Sequence, residues 1–360
     1  MSRKLSLGHG SVLALLTLLA LATLLPAGAG AATLTPTTTD DQFDVTPDAE
    51  CSLREAVESA NLNADFGGCV GVGVYGDDVI ELAAGTYGLD LGPTEPPFGI
   101  DNSVGDLDVE PGDGERLDVL GSGSAGTIIE RASDEEFRVL DVIFPALVRL
   151  ADLTVRNGLV AEDSGGGIYA EGYELTLERV VVRDNAVVGG GFAVGGGIFS
   201  DSEVLNLIDT QVVANRVEPS EGFFLFDVVG GGIFAFVGFG PEACECAALP
   251  PAVGSLLVEG TTVSGNQALG HPDGDVALGG GAYFVDFSQV SDPDLVGPQR
   301  IVNSTFSGNA AEAGGGLVID LIPPGEGEGP PRLSASPERA PWRDRMGRRA
   351  RAERAEGVAP

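Results

Sequence analysis

The stretch GGGIFSDSEVLNLIDTQVVAN, which runs from Gly195 to Asn215, decides the fold of this 360-residue chain. A glycine triplet opens it, an apolar pair follows, and two short segments of alternating apolar residues lead to the final asparagine. Alternation with a period of two predicts β-strands that each bury one face. Strands this short do not form a stable sheet alone, so the unit has to stack on similar units.

Similar units recur at intervals of 30, 35, 49 and 35 residues, measured between the first glycines of the triplets. Those glycines are Gly165, Gly195, Gly230, Gly279 and Gly314. Three short strands per unit, with no helical segment between them, describe one coil of a parallel β-helix. We therefore predict an all-β solenoid of about seven to eight coils over residues 76–322.

Equivalent residues of successive coils should lie above one another at a spacing of about 4.8 Å. The position after each triplet predicts an inward apolar stack of Ile168, Ile198, Ile233, Ala282 and Leu317. The next position predicts aromatic rings that stack on each other, at Tyr169, Phe199, Phe234 and Tyr283.

An asparagine follows the second strand of most units, and we predict that these residues form a ladder at a turn. Asparagine tolerates the left-handed backbone region, and its amide can bond to the equivalent asparagine of the next coil. This interpretation gives a structural role to Asn157, Asn185, Asn215, Asn266 and Asn309.

Residues 51–61 predict a short amphipathic helix ahead of the first coil. Ser52 and Glu55 have the spacing of a capping box. Leu53, Ala56 and Val57 fall on one helical face. A β-helix exposes apolar side chains and strand edges at its ends, so we expect residues 32–75 to form an N-terminal cap.

The letters Cys51-Ser-Leu-Arg-Glu-Ala56, followed by Ala60-Asn61, resemble the CSLREA domain of exported bacterial proteins. The similarity extends over about residues 33–320. It implies a right-handed parallel β-helix of the pectate-lyase-like kind. The Gly-Gly-Gly-Ile elements and Phe306-Ser-Gly-Asn309 also resemble the repeats of polymorphic outer-membrane proteins and autotransporter passengers. The resemblance implies export and fold and carries no catalytic set.

Residues 1–31 have the pattern of a secretory signal peptide. Arg3 and Lys4 precede an apolar run from Val12 to Leu25, and small-residue cleavage sites follow near Ala29 and Ala31. An uncleaved anchor is the alternative, although 14 apolar residues are short for a membrane span. We expect a secreted or cell-surface protein, outer-membrane association included, with no transmembrane span in the mature chain.

Four cysteines in an exported chain permit disulfides. The local pairing joins Cys51 to Cys69 and Cys244 to Cys246, and we favour it among the three combinations. A metal-binding pair is the competing interpretation of Cys244 and Cys246, but neither a Cys-x-x-Cys nor a histidine pair is present to complete a zinc site.

Charge excludes several classes of function. Residues 32–331 hold 50 acidic residues and 10 basic ones, all arginine. Such a body repels nucleic acid and anionic membranes, whereas Ca²⁺ is a plausible cofactor. His271 is the single histidine outside the leader, which argues against a Ser-His-Asp triad.

The repeat does not continue in residues 323–360. This tail is rich in arginine and proline, and its composition predicts disorder. A shifted reading frame or truncation is one explanation. A basic tail that docks on an acidic partner is the other.

Two sets of residues are candidates for chemistry. Asp40, Asp41 and Asp44 could offer carboxylate oxygens to Ca²⁺, with a solvated acidic linker as the alternative. Pectate-lyase-like enzymes use a Ca²⁺ cluster and an arginine base, so the catalytic candidates are Arg156, Arg179, Arg183 and Asp184. Outward arginine–acid neighbours on strands are more often cross-strand salt bridges.

These patterns favour an adhesion or structural display protein that recognises an extracellular polysaccharide or a cell-surface ligand. Insertions at 238–253 and 287–298 would form its variable binding surface. A polysaccharide lyase or glycoside hydrolase is the first alternative, and a truncated autotransporter-type passenger is the second.

Overall fold

The computed structural model describes residues 31–92, 102–112, 114–143, 145–189, 193–218, 228–237, 254–270, 276–286 and 296–321. Residues 1–30 of the predicted leader, the tail from 323, Cys244, Cys246 and His271 lie outside these residues. Within them the chain is a parallel β-helix, which confirms the predicted fold class.

A strand and a helix precede the coils: β1 (Ala31–Leu34) and α1 (Leu53–Leu62). The coils then follow in chain order, and the described residues contain seven of them. Their strands are β2 (Val74–Glu81), β3 (Gly85–Leu89) and β4 (Leu107–Val109); β5 (Arg116–Leu120), β6 (Thr127–Arg131) and β7 (Leu140–Val142); β8 (Leu147–Ala151), β9 (Thr154–Arg156), β10 (Leu159–Ala161) and β11 (Ile168–Ala170); β12 (Glu174–Glu178), β13 (Val181–Arg183), β14 (Ala186–Val188) and β15 (Ile198–Ser200); β16 (Val204–Ile208), β17 (Gln211–Val213), β18 (Arg216–Glu218), β19 (Val228–Val229) and β20 (Ile233–Val237); β21 (Gly254–Glu259), β22 (Thr262–Ser264), β23 (Gln267–Ala268), β24 (Ala277–Leu278) and β25 (Ala282–Asp286); and β26 (Val296–Val302), β27 (Thr305–Ser307) and β28 (Leu317–Leu321).

Three long sheets run the length of the solenoid, and every strand pair in them is parallel. The first sheet has the order β1-β2-β5-β8-β12-β16-β21-β26, and the second runs from β3 through β6, β9, β13, β17 and β22 to β27. The third runs from β4 through β7, β11, β15, β20 and β25 to β28. Each coil therefore contributes one strand to each sheet, because the chain turns sharply after every short strand.

The predicted stacks are present in register. Ile168 pairs with Ile198, Ile198 with Ile233, and the row continues to Ala282 and Leu317. All are buried except Leu317, which is half-buried in the last described coil. The rings of Tyr169, Phe199, Phe234 and Tyr283 stack with centroids 4.7, 5.7 and 5.8 Å apart. The rings occupy the face of the third sheet opposite the main core, because they alternate with the inward row.

The glycine triplets serve both conformation and close packing. Gly195 has a φ of +66°, a left-handed value that side chains other than glycine rarely adopt. A Cβ on the next residue, Gly196, would lie 2.3 Å from the carbonyl oxygen of Arg216 and 2.5 Å from that of Gly231. The corner therefore has no room for a side chain, since backbone of neighbouring coils fills the space.

Helix α1 caps the start of the solenoid as predicted. Ser52 accepts a hydrogen bond from the Glu55 amide, and the Glu55 carboxylate accepts one from the Ser52 amide, which completes the capping box. Leu53, Ala56 and Val57 join the main core. The disulfide between Cys51 and Cys69 is present and fixes the loop after the helix to its start.

Candidate functional site

An asparagine ladder follows the second sheet. Asn185 donates its side-chain amide to Oδ1 of Asn215 at 3.0 Å, Asn215 donates to Asn266 at 3.0 Å, and Asn266 donates to Asn309 at 3.0 Å. The backbone amide of each donor residue bonds to the same oxygen. Asn185, Asn215 and Asn266 are fully buried and serve packing, whereas Asn309 at the end of the ladder is half-buried.

Asn157 does not belong to the ladder, contrary to the prediction. It is exposed, has a φ of +63°, and donates to the carboxylate of Glu130 at 3.0 Å. Strand register places Gly158 beside Asn185, and the Gly158 amide donates to Asn185 Oδ1 at 2.9 Å. The asparagines of the ladder do not adopt the left-handed conformation either, since the preceding residue does so, as at Asp184 with a φ of +57°.

The catalytic candidates are all engaged in ion pairs on the outer surface. Arg156 pairs with Glu130, Arg183 pairs with Asp184 at 2.8 Å, and Arg179 pairs with Asp152 at 2.6 Å. The hydrogen bonds that Arg179 donates to Asp152 and Glu178 raise the pKa of its guanidinium above its usual range. Arg179 is therefore held in its charged form and is a poor base, and the ion pairs of Arg156 and Arg183 occupy their guanidinium groups, so the geometry does not favour a lyase at these positions.

The Ca²⁺ candidates do not converge on one point. The Asp41 carboxylate binds the guanidinium of Arg54 at 2.7 and 3.0 Å, and both side chains are almost completely buried. Asp41 also accepts the amides of Asp90 and Leu91 at 2.9 Å each. The amides of Asp40 and Asp44, by contrast, bond to Thr38 and Glu55. Among the described residues these three carboxylates do not form one group, and Asp41 is an internal counter-ion of Arg54.

Another acidic group does assemble, at the outer face of the third sheet near the cap. Asp106, Asp108 and Asp141 each bring a carboxylate oxygen within 4.8 Å of the others. Asp108 and Asp141 are register partners on β4 and β7. The guanidinium of Arg138 lies among them, 2.9 Å from Asp141 and 3.6 Å from Asp106, and it also pairs with Asp163. We call this group the Arg138 cluster.

Burial dominates the electrostatics of the Arg138 cluster. It raises the pKa of Asp141 to about 7 against the opposing effect of Arg138, and Asp106 adds to the rise. Burial also raises the pKa of Asp106, again opposed by Arg138. The cluster can therefore hold a proton on a carboxyl group near neutral pH, as general acids do. A cation would meet the guanidinium charge, so these carboxylates are better matched to Arg138 than to Ca²⁺.

The Arg138 cluster adjoins the aromatic stack. The Arg138 guanidinium lies 4.6 Å from the centroid of the Tyr169 ring, which is the first ring of the row. The Tyr169 hydroxyl donates to Glu171 at 2.5 Å. The outer row of the third sheet thus changes from carboxylates at Asp108 and Asp141 to rings from Tyr169 onward.

The run Asp106-Leu-Asp-Val-Glu110 begins like an EF-hand loop, but Pro111 stands where that loop needs glycine, so the sequence pattern does not indicate a Ca²⁺ loop here. A partial signal was the tripeptide Leu-Asp-Val, which occurs at 107–109 and 140–142. The same tripeptide also occurs at 117–119 on β5 of the first sheet, so by itself it does not identify the cluster. Repetition of that tripeptide one coil apart places the two aspartates side by side. Nothing in the sequence pattern indicated that Arg138 would join them.

Comparison with family models, curated proteins and solved structures finds no match to this chain. In the part of the chain that the structure describes, no helix has the length and apolar character needed to cross a membrane.

Proposed function

We propose that the chain is an exported β-helical repeat protein of the cell surface or the secreted fraction, with a role in adhesion or structural display. The observation that carries the proposal is the use of the motif that resembles the CSLREA domain. Each of its six residues has a structural role, with a disulfide at Cys51, a capping box at Ser52 and Glu55, core contacts at Leu53 and Ala56, and a buried anchor at Arg54.

Arg54 illustrates the anchor. Its guanidinium donates to the carbonyl oxygens of Asn102, Gly105 and Asp106 at 3.1, 2.7 and 3.0 Å, in addition to its ion pair with Asp41. These bonds fix the helix to the segment that leads into β4. A motif that closes one end of a solenoid is what a rigid stalk or display scaffold requires, and it leaves no side chain for chemistry.

Localisation and adhesion together test the proposal. The full chain carrying a C-terminal epitope would be expressed in a Gram-negative host, and the epitope would be followed in medium, in outer membrane and after external protease treatment. We expect the epitope outside the cytoplasm and binding of the purified chain to extracellular polysaccharide or to cells. Retention in the cytoplasm, or export without binding to either, would contradict it.

A second candidate function is cleavage of polysaccharide, either by hydrolysis or by the elimination reaction of a lyase. The raised pKa of Asp141 is the observation that favours it. The exported chain would be incubated with polyuronates and neutral glycans, with and without Ca²⁺, while unsaturated products and reducing ends are measured. Activity that Asp141→Asn abolishes, with the fold retained by circular dichroism, would establish the second function. Inactivity of the folded chain on the whole panel would favour display.

A further inference from the structure

Asp78 on β2 has a buried carboxylate oxygen without a donor. The residue is 2 % exposed. The Gly76 amide donates to Oδ1 at 3.2 Å, whereas Oδ2 accepts no hydrogen bond of normal geometry from the described residues. A buried acceptor left without a donor is costly, so the site calls for a further donor at this oxygen.

Strand β1 brings the backbone nitrogen of Ala32 to this carboxyl. Thr33 exchanges two hydrogen bonds of 3.0 Å with Val72, and Leu34 lies in register with Ile80. Ala32 is the second residue of β1 and is fully buried. Its amide lies close enough to Asp78 to lower the pKa of the carboxyl. Ala31 pairs with Val74 and Thr33 with Val79, so the register shifts at Ala32 and leaves this residue opposite the part of β2 that contains Asp78.

The charged neighbours that perturb Asp78 most strongly are negative. Burial raises the pKa of its carboxyl to about 6, and the carboxylates of Glu115 and Asp77 add to the rise. The guanidinium of Arg116, which follows Glu115 in the chain, pairs instead with Glu174 at 3.2 Å. The hydroxyl of Tyr75 is the other titratable neighbour, and Asp78 contributes to its raised pKa. The electrostatics thus favour a positive donor at this point.

Removal of the leader would create such a donor, because it leaves a charged α-amino group at the new N-terminus. Two small-residue sites of the A-x-A type end at Ala29 and at Ala31, and the second makes Ala32 the first residue of the mature chain. We propose that a signal peptidase cleaves after Ala31 and that the new α-ammonium group of Ala32 forms a buried ion pair with Asp78. This inference rests on the proposed export of the chain.

The cleavage is a hydrolysis. Water hydrolyses the peptide bond between Ala31 and Ala32; the carboxylate leaves with the leader, and the freed amine takes up a proton. The nitrogen stays where β1 holds it but becomes a charged donor with three hydrogens, one of which reaches Oδ2. Cleavage after Ala29 would place the ammonium group two residues ahead of Ala32 in the chain and leave the Ala32 nitrogen as an uncharged amide.

The composition supplies a specific probe, because Lys4 is the only lysine of the chain and lies in the leader. The mature protein therefore has one amine, its N-terminus. An acylating reagent specific for amines reports directly on the exposure and pKa of that group.

The experiment compares three proteins that run to Pro360. The Ala32 form begins at Ala32, the Gly30 form retains Gly30 and Ala31, and the third is the Ala32 form with Asp78→Asn. All are released from an N-terminal fusion by a protease that leaves no extra residue. Denaturant midpoints from pH 4 to 9 and the rate of amine acylation at pH 7 are measured. The intact mass of the exported chain shows separately where the cell cleaves it.

We expect acylation of the Ala32 form to be about tenfold slower than that of the Gly30 form, since a shift of one unit in the amine pKa changes its reactive fraction tenfold. The Gly30 form should lose stability as the pH rises from about 4 to 6, where the buried Asp78 must ionise. The Ala32 form should keep its stability through that range and lose it above about pH 8, where the amine releases its proton.

Three results would overturn the inference. One is equal acylation rates for the Ala32 and Gly30 forms. Another is a difference in acylation or pH profile that survives Asp78→Asn; if that variant fails to fold, the first two proteins decide alone. The third is a mature mass that begins at Gly30. A chain that is never exported would instead contradict the proposed function, and the purified forms would still test the ion pair.

Discussion

Removal of one ladder asparagine should destabilise the solenoid by an amount that the structure defines. Asn215 is fully buried, and its side chain makes four hydrogen bonds. It accepts two from Asn185 at 3.0 Å each, and it donates to the Val182 carbonyl and to Asn266, again at 3.0 Å. At about 1 kcal/mol net for each bond, Asn215→Ala should lower the free energy of unfolding by about 4 kcal/mol.

The matched control is Asn206→Ala on β16. Its side chain is half-buried and donates one described hydrogen bond, to Thr176 at 3.0 Å, so its loss should cost about 1 kcal/mol. Both variants would be unfolded in guanidinium chloride and followed by far-UV circular dichroism. Amide exchange at Asn185, whose N–H loses its acceptor in Asn215→Ala, reports the local effect even if the coils unfold in stages.

A difference of less than about 0.5 kcal/mol between the two variants would contradict a stabilising role for the ladder, because Asn215 would then contribute no more than one surface hydrogen bond. Unchanged exchange at Asn185 would lead to the same conclusion.

Three other perturbations test separate parts of the structure. Arg54→Ala leaves buried carboxylate and carbonyl groups without their partner and should destabilise the cap by about 3–5 kcal/mol, whereas Arg183→Ala at an exposed pair should cost under about 0.5 kcal/mol; thermal unfolding of both distinguishes them. Gly196→Ala should prevent folding, since its Cβ would lie 2.3 Å from backbone, and Gly126→Ala, with its nearest atom at 3.6 Å, should fold normally by circular dichroism. The folded-state pKa of Asp141 is raised to about 7, so its contribution to stability should fall as the pH rises from about 4 to 7, and Asp141→Asn should flatten that part of the midpoint profile.

The repeat could be predicted because a β-helix imposes one register on every coil. Glycine corners, an inward row and an outer aromatic row recur at fixed offsets from each triplet, so Ile198 and Phe199 predict the environments of Ile233 and Phe234. The capping box and the local disulfide could be predicted because they depend on neighbours in sequence.

Asn157 shows that the repeat pattern does not determine strand register. That asparagine ends the same apolar pattern as Asn185 but sits one position earlier, in a copy that lacks a glycine triplet. A shift of one residue changes which side chain faces the turn interior, since side chains alternate between faces with a period of two. Strand pairing, with Arg156 opposite Arg183, determines the register, and the sequence pattern did not.

The sequence pattern could not predict the Arg138 cluster or the Asp41–Arg54 pair, because both join segments that share no repeat. Asp41 precedes the helix, Arg54 belongs to it, and Arg138 precedes β7.

Along the solenoid the outer row consists of rings because each coil supports the next with the same residue type. At the first coils the neighbour is instead the cap, an element of different shape. Continuous ring stacking cannot extend there, and paired charges join the two surfaces at Asp106, which Arg54 contacts through its carbonyl and Arg138 through its carboxylate. A junction of this kind gives a physical reason for buried, titratable carboxyl groups that requires no substrate, and it is why Asp141 alone does not make the chain an enzyme.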